Sequence, residues 1–169
     1  MKKRLAAALL ALSLLCAACS HRPGRDEEPP EGQYAFYFIT ASGRRDDAAL
    51  DREFREPSSG GTVEGLMTLL LSGPESDSLA SPFPSGTALR GWSISDGVAA
   101  VDLSEAYEGL SGAELTLADG CIVLTLCQLE GVEAVYLTVE GHPRPFRDQV
   151  LEPSDFLLRN TLQGEEEIT

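Results

Sequence analysis

The chain has 169 residues, 43% of them hydrophobic, and carries 27 acidic against 13 basic side chains for a formal net charge of −14. That composition supports one domain's core with a short extension, and a surface of this sign repels phosphate backbones, which excludes nucleic acid as a partner. His21 and His142 are the only histidines, and with four cysteines in the whole chain a zinc centre has too few ligands, so no metal is expected.

The chain opens with the basic run Met1-Lys2-Lys3-Arg4, followed by apolar residues from Leu5 to Ala18. A spanning helix needs about 20 apolar residues, and this run is shorter, so residues 1–18 read as a secretory signal with small residues before the cut. Ala17-Ala18-Cys19 resembles a bacterial lipobox, which makes Cys19 the lipidation site. Cys16 is the poorer candidate, because bulky Leu14 and Leu15 precede it. The plainer reading is a signal peptide cut near Ala18 with Cys19 incidental. Residues 19–32 are charged and rich in Pro and Gly, the composition of a flexible tether. Both lysines lie in the signal, so the remainder uses arginine alone as its strong base. An acidic domain avoids an anionic bilayer, and a covalent anchor would hold it there.

Folding is expected from Gln33. Tyr34 to Ile39 is apolar on both faces and predicts a central strand, while residues 49–56, ALDREFRE, suit a charged edge strand. Thr62 caps a helix whose apolar stripe is Val63, Leu66, Met67 and Leu70, and Gly73-Pro74 ends it. Residues 75–85 read as a polar loop. Thr87–Ile94 and Val98–Leu103 are two strands joined by Asp96-Gly97, a strong hairpin signal. Ser104 to Tyr107 reads as a single helical turn capped by Ser104. Ser111 and Glu114 form a capping-box pattern, predicting a second helix to about Leu129. Val132–Glu140 is a strand, with a last short strand near Phe146–Leu151, and residues 161–169 form an acidic disordered tail. The domain at 33–160 is therefore expected to be α+β: two helices packed on one face of a four- to five-stranded, mainly antiparallel sheet.

Chemistry is sparse in this pattern. Asp102, Ser104 and Glu105 sit close in sequence, but Asp102 reads as a strand end and Ser104 as a cap. His142 has no nucleophile elbow to serve, and neither a phosphate loop nor a dinucleotide fingerprint is present. No catalytic residue and no cofactor are expected. Cys121 and Cys127, placed on one helix, would be about 9 Å apart along its axis and point to different sides, so they read as free thiols. Trp92 has core packing as its default role, with a ligand-binding platform as the alternative. The second helix carries two apolar stripes. Leu115, Ala118, Ile122, Leu126 and Leu129 form one; Leu117, Gly120, Leu124 and Cys127 form the other. One stripe suffices for a helix on a sheet. The second is either covered by the first helix or open to another protein or to another copy of this chain.

Taken together, Leu66–Pro74 (LMTLLLSGP), Pro84-Ser85-Gly86-Thr87, Val98–Tyr107 (VAAVDLSEAY) and Ile122–Gly141, with Thr125-Leu126, Gly131-Val132 and Val135–Gly141, resemble a GerMN domain, the module of a spore-germination lipoprotein family. The likeness covers about residues 33–160. It implies a fold similar to the ring-building domains of secretion machinery, and no catalytic residues to carry across. It also implies an extracytoplasmic, lipid-anchored module that joins an envelope or sporulation protein complex. One such domain is present here, where the sporulation lipoprotein carries two in tandem. The competing expectation is an extracytoplasmic ligand-sensing domain that binds cell-wall fragments or modulates a signalling receptor.

Overall fold

Aromatic and small residues alternate unevenly along Tyr34–Thr40, and this segment forms β1, with Ala35, Phe36 and Phe38 fully buried. The computed structural model describes residues 27–41, 49–143 and 149–156; Cys19, the signal, most of the tether, the tail and half of the expected last strand lie outside the described residues. Strand β2 (Leu50–Arg55) pairs antiparallel with β1 along its full length, from Tyr34 opposite Arg55 to Ile39 opposite Leu50. It is the charged edge strand anticipated from the sequence. On the other side of β1, the two-residue β3 (Leu79–Ala80) pairs only with Ile39 and Thr40. The sequence predicts a loop over residues 75–85, because a two-residue strand has no period to detect.

Helix α1 (Val63–Leu71) begins where the Thr62 hydroxyl accepts the Gly65 N–H at 3.1 Å. Its predicted stripe of Val63, Leu66, Met67 and Leu70 is buried. Arg55 fastens the other end: its guanidinium donates to the carbonyl of Gly73 at 2.9 Å and ion-pairs with Glu75 at 3.3 Å. A cation at the end of a helix, where unpaired carbonyls gather, is a favourable placement.

Strands β4 (Leu89–Ser95) and β5 (Val98–Leu103) form the expected hairpin. After it come a 3-10 turn at Glu105–Gly109 and helix α2 (Gly112–Leu126), then β6 (Ala134–Val139) and the short β7 (His142–Pro143). β6 lies parallel to β5, with Val98 opposite Ala134 and Leu103 opposite Val139. A parallel neighbour demands a crossover, and α2 is that crossover. Leu151 then bridges to Val135.

The α+β class with two helices and mainly antiparallel strands is the one expected, but the strands divide into two sheets, ordered β2-β1-β3 and β4-β5-β6-β7. The reason lies in one glutamine. α2 packs chiefly along β1, and there Gln128, just past the helix, takes the place of a strand. The Ala35 N–H donates to Gln128 Oε1 at 2.8 Å, and Gln128 Nε2 donates back to the Ala35 carbonyl at 2.7 Å. The Tyr37 N–H reaches the Thr125 hydroxyl at 3.3 Å. A carboxamide carries the same donor and acceptor as a peptide, so the Ala35–Tyr37 stretch of this edge is satisfied by side chains and only its far end, at Ile39 and Thr40, takes the short β3.

Two expected caps do not form. Ser111 stands at the N-cap of α2 without a side-chain bond to the helix, and α2 ends at Leu126 with Cys127 as its C-cap, short of Leu129. Ser104 likewise makes no cap bond. Its hydroxyl accepts the Ala88 N–H at 3.0 Å and donates to the Gly86 carbonyl at 3.1 Å, joining two loops instead. Between the sheets and helices the apolar residues make one continuous core. Within it Tyr107 donates its hydroxyl to Asp119 at 2.7 Å, so the one buried carboxylate of α2 has a partner.

Candidate functional site

The β4–β5 hairpin turns through Asp96 and Gly97, with φ of 52° and 78°, the pair of left-handed residues that a two-residue hairpin with matching twist requires. Trp92 stands opposite Val101 and Ile94 opposite Ala99. Opposed residues share a face, and Val101 and Ala99 are in the core at 1% and 0% exposure. One strand further out, the same face runs past the core: Trp92 and Ile94 each remain 45% exposed. The default expectation of a core tryptophan is therefore corrected. Trp92 does lie on the core-facing side, but β4 is the outermost strand of its sheet. Between Gly91 and Ser95 the strand carries no charged residue. Native edge strands are commonly guarded by charges or prolines, and in so acidic a chain an unguarded edge with two exposed large apolar side chains stands out.

Next to this edge lies a polar network. Arg90, at the irregularity between Leu89 and Gly91, pairs with Asp102 at 3.4 Å and Glu140 at 3.0 Å. Asp102 also accepts from the Thr138 hydroxyl at 2.8 Å and the Gly141 N–H at 2.7 Å, and Glu140 accepts the Glu105 N–H at 3.0 Å. Burial pushes the Asp102 carboxyl up, but the Gly141 N–H, the Thr138 hydroxyl and Arg90 together hold it below the ordinary carboxylate value. An ionised carboxylate saturated with donors ties the ends of β5 and β6 together. It has no proton to give, and the nearby Ser104 hydroxyl is occupied by Ala88 and Gly86.

The stripe of Leu117, Gly120, Leu124 and Cys127 meets other segments of the chain at its centre. Leu117, Leu124 and Cys127 are half-buried, and Gly120 is buried. A Cβ on Gly120 would stand 2.8 Å from a Phe156 ring carbon and 3.1 Å from a Leu50 methyl. The centre of the stripe is thus closed by β2 and by the C-terminal segment, which crosses α2 as a strap. Cys121 and Cys127 are free. Burial raises both thiols, Cys127 to about 11, so neither is a ready nucleophile.

Beside β1 a shallow groove of about 440 Å³ is lined by Glu27, Glu28, Pro29, Tyr34, Tyr37, Arg52 and Gln128 among others. Arg52 donates to the Glu27 carbonyl and to the Tyr37 hydroxyl. The start of the domain is therefore laid against β1 and β2 several residues before the expected boundary at Gln33. Among the described residues no group of His, Cys, Asp and Glu is placed to hold a metal, and no helix is long and apolar enough to cross a membrane.

Ile94, Gln128 and Phe156 were not singled out in the sequence. Ile94 carried a usable signal, standing two residues from Trp92 in the uncharged stretch Gly91–Ser95. Gln128 and Phe156 act on residues remote in sequence, and no local pattern marks them.

Among curated proteins none matches this chain. Among solved structures, the first GerMN domain of the sporulation protein GerM from Bacillus subtilis is similar in fold. The likeness has 17% identity, a TM-score of 0.53, and covers 66% of this chain and 85% of that one. The tandem GerMN domains of the same protein match with 18% identity and a TM-score of 0.53, covering 66% of this chain and 40% of that one. The family model Germane, described as sporulation and spore germination, matches residues 35–145. That match takes in both sheets and both helices and spans well over half the chain: the protein belongs to the Germane family.

Proposed function

We propose that this protein is a non-enzymatic lipoprotein, anchored through Cys19 on the outer face of the cytoplasmic membrane, whose domain joins a protein complex of the cell envelope in sporulation or germination. The observation that carries the interaction role is the β4 edge, where Trp92 and Ile94 are each 45% exposed on the uncharged stretch Gly91–Ser95. Exposed apolar surface of this kind marks contact sites, and aromatic residues are the commonest anchors of such contacts. The family membership supports the sporulation or germination setting. The lipobox-like Ala17-Ala18-Cys19 supports the anchor. We assign the contact to β4 rather than to the Leu117–Cys127 stripe, because Phe156 and Leu50 already close over Gly120.

The test is crosslinking in intact cells, affinity recovery of the full-length protein and mass spectrometry of what accompanies it. Trp92→Glu is expected to abolish recovery of a septal, germination or signalling complex while leaving the domain folded, and Leu124→Glu, if folded, to retain it. Full recovery by a folded Trp92→Glu protein would overturn the assignment. A saturable change of Trp92 fluorescence with cell-wall fragments would replace it with the ligand-sensing reading.

A further inference from the structure

The unguarded edge of β4 has a symmetry of its own. From Gly91 to Ser95 the residues run Gly-Trp-Ser-Ile-Ser, small, large, small, large, small about Ser93. An antiparallel partner with the same sequence, related by a two-fold axis at Ser93, would set Trp92 against Ile94 of the second copy and Ile94 against its Trp92. Ser93 would face Ser93, and Gly91 would face Ser95. Aromatic–aliphatic pairs directly opposed across antiparallel strands are among the favourable ones, and a two-fold contact makes each of them twice. The charges that bound the stretch, Arg90 and Asp96, are of opposite sign, so this register never sets like charge opposite like, despite a net charge of −14 on each chain. Alternate residues of an edge strand turn their N–H and C=O outward. Because the axis lies on a residue, the outward groups of one copy meet outward groups of the other.

We infer that the partner at the β4 edge is a second copy of this chain, joined β4 to β4 about Ser93 so that two four-stranded sheets become one. The inference rests on the reading of β4 as the contact surface and deepens it. A palindromic edge distinguishes a second copy from an arbitrary extended peptide, which would need only one complementary side. A single strand pairing is smaller than a standard stable interface of about 800 Å² per partner. The contact is therefore weak in free solution and is favoured when both copies share a membrane plane, where tethering raises their effective concentration.

The experiment uses full-length protein in isolated membranes, oxidised mildly and run on a non-reducing gel. The variant Ser93→Cys places two thiols directly opposite, with Cβ atoms about 4.5–5.5 Å apart, near the separation a disulfide needs. Ser95→Cys, on the same face of the same strand, is the control. Its thiols would lie four residues apart along the pair, about 14 Å. The expected result is a shift of Ser93→Cys from monomer to dimer, with Ser95→Cys remaining monomeric. The double variant Ser93→Cys/Trp92→Glu is expected to lose the dimer. Absence of a Ser93→Cys dimer from a folded protein, or equal dimer from both single variants, overturns the inference. Failure of the dimer alone, with Trp92→Glu still costing recovery of other proteins, removes the second copy but leaves β4 as an interface. Undiminished recovery by Trp92→Glu removes the interface itself.

Discussion

Replacing Gln128 by Ala removes the group that closes the edge of β1. The residue makes two bonds to Ala35, at 2.8 and 2.7 Å, and donates to the Leu124 and Thr125 carbonyls at 3.1 and 3.0 Å. Ala35 is 1% exposed, so water reaches its freed N–H and C=O poorly. Each buried group left without a partner costs about 1–3 kcal/mol, and part of the helix-end bonding can be recovered by solvent. The expected loss is about 2–4 kcal/mol, equivalent to a fall in melting temperature on the order of 10 °C for a domain of this size. The assay is thermal denaturation followed by circular dichroism, paired with hydrogen exchange. The Ala35 amide should exchange much faster in the variant, while β5 and β6 amides keep their protection. A fall of less than about 2 °C, with Ala35 still protected, would refute the idea that a side chain stands in for a strand here.

Gly120→Ala forces a methyl group to within 2.8 Å of Phe156 and 3.1 Å of Leu50. Overpacking of this kind costs about 1–3 kcal/mol, and Phe156→Leu in the same chain should return most of it if the strap is what the methyl meets. For Asp102 the sign follows from its lowered value in the folded state. Its contribution is present above the ordinary carboxylate value of about 4 and is lost as pH falls below it. Asp102→Asn should therefore be less stable near neutrality and show a flatter decline below about pH 4 in urea denaturation. An unchanged acid limb would show that the network does not act through charge.

The hairpin was legible because its signal is local: Asp96-Gly97 both permits left-handed φ and sits between two strand patterns. The stripe of α1 was legible for the same reason, one turn at a time. The two stripes of α2 were visible too, yet what covers the second one was not. Leu50 and Phe156 lie far from Gly120 in sequence, and a helical period cannot report which distant segment closes over it. Gln128 was illegible because a polar residue near a helix end suggests solvent, and only the packing of α2 along β1 gives its carboxamide a strand to satisfy. Ser111 and Ser104 fit cap patterns and form no caps; for Ser104, Ala88 and Gly86 compete for the hydroxyl. Core packing is the expectation for Trp92 from its residue type, whereas its exposure follows from strand order, which the sequence does not state. The candidate site was thus visible as a residue and hidden as an edge.

The bond between Ala35 and Gln128 joins positions 93 residues apart. A ribosome adding about 5–20 residues per second needs several seconds to reach Gln128 after making Ala35. Throughout that interval β1, with its run Tyr-Ala-Phe-Tyr-Phe-Ile, lacks the partner of its Ala35 end. Contacts of such sequence separation also form slowly. The fold therefore completes this edge of β1 only after residue 128 has been made. A chain held up before Gln128 is exposed to aggregation through that stretch of β1.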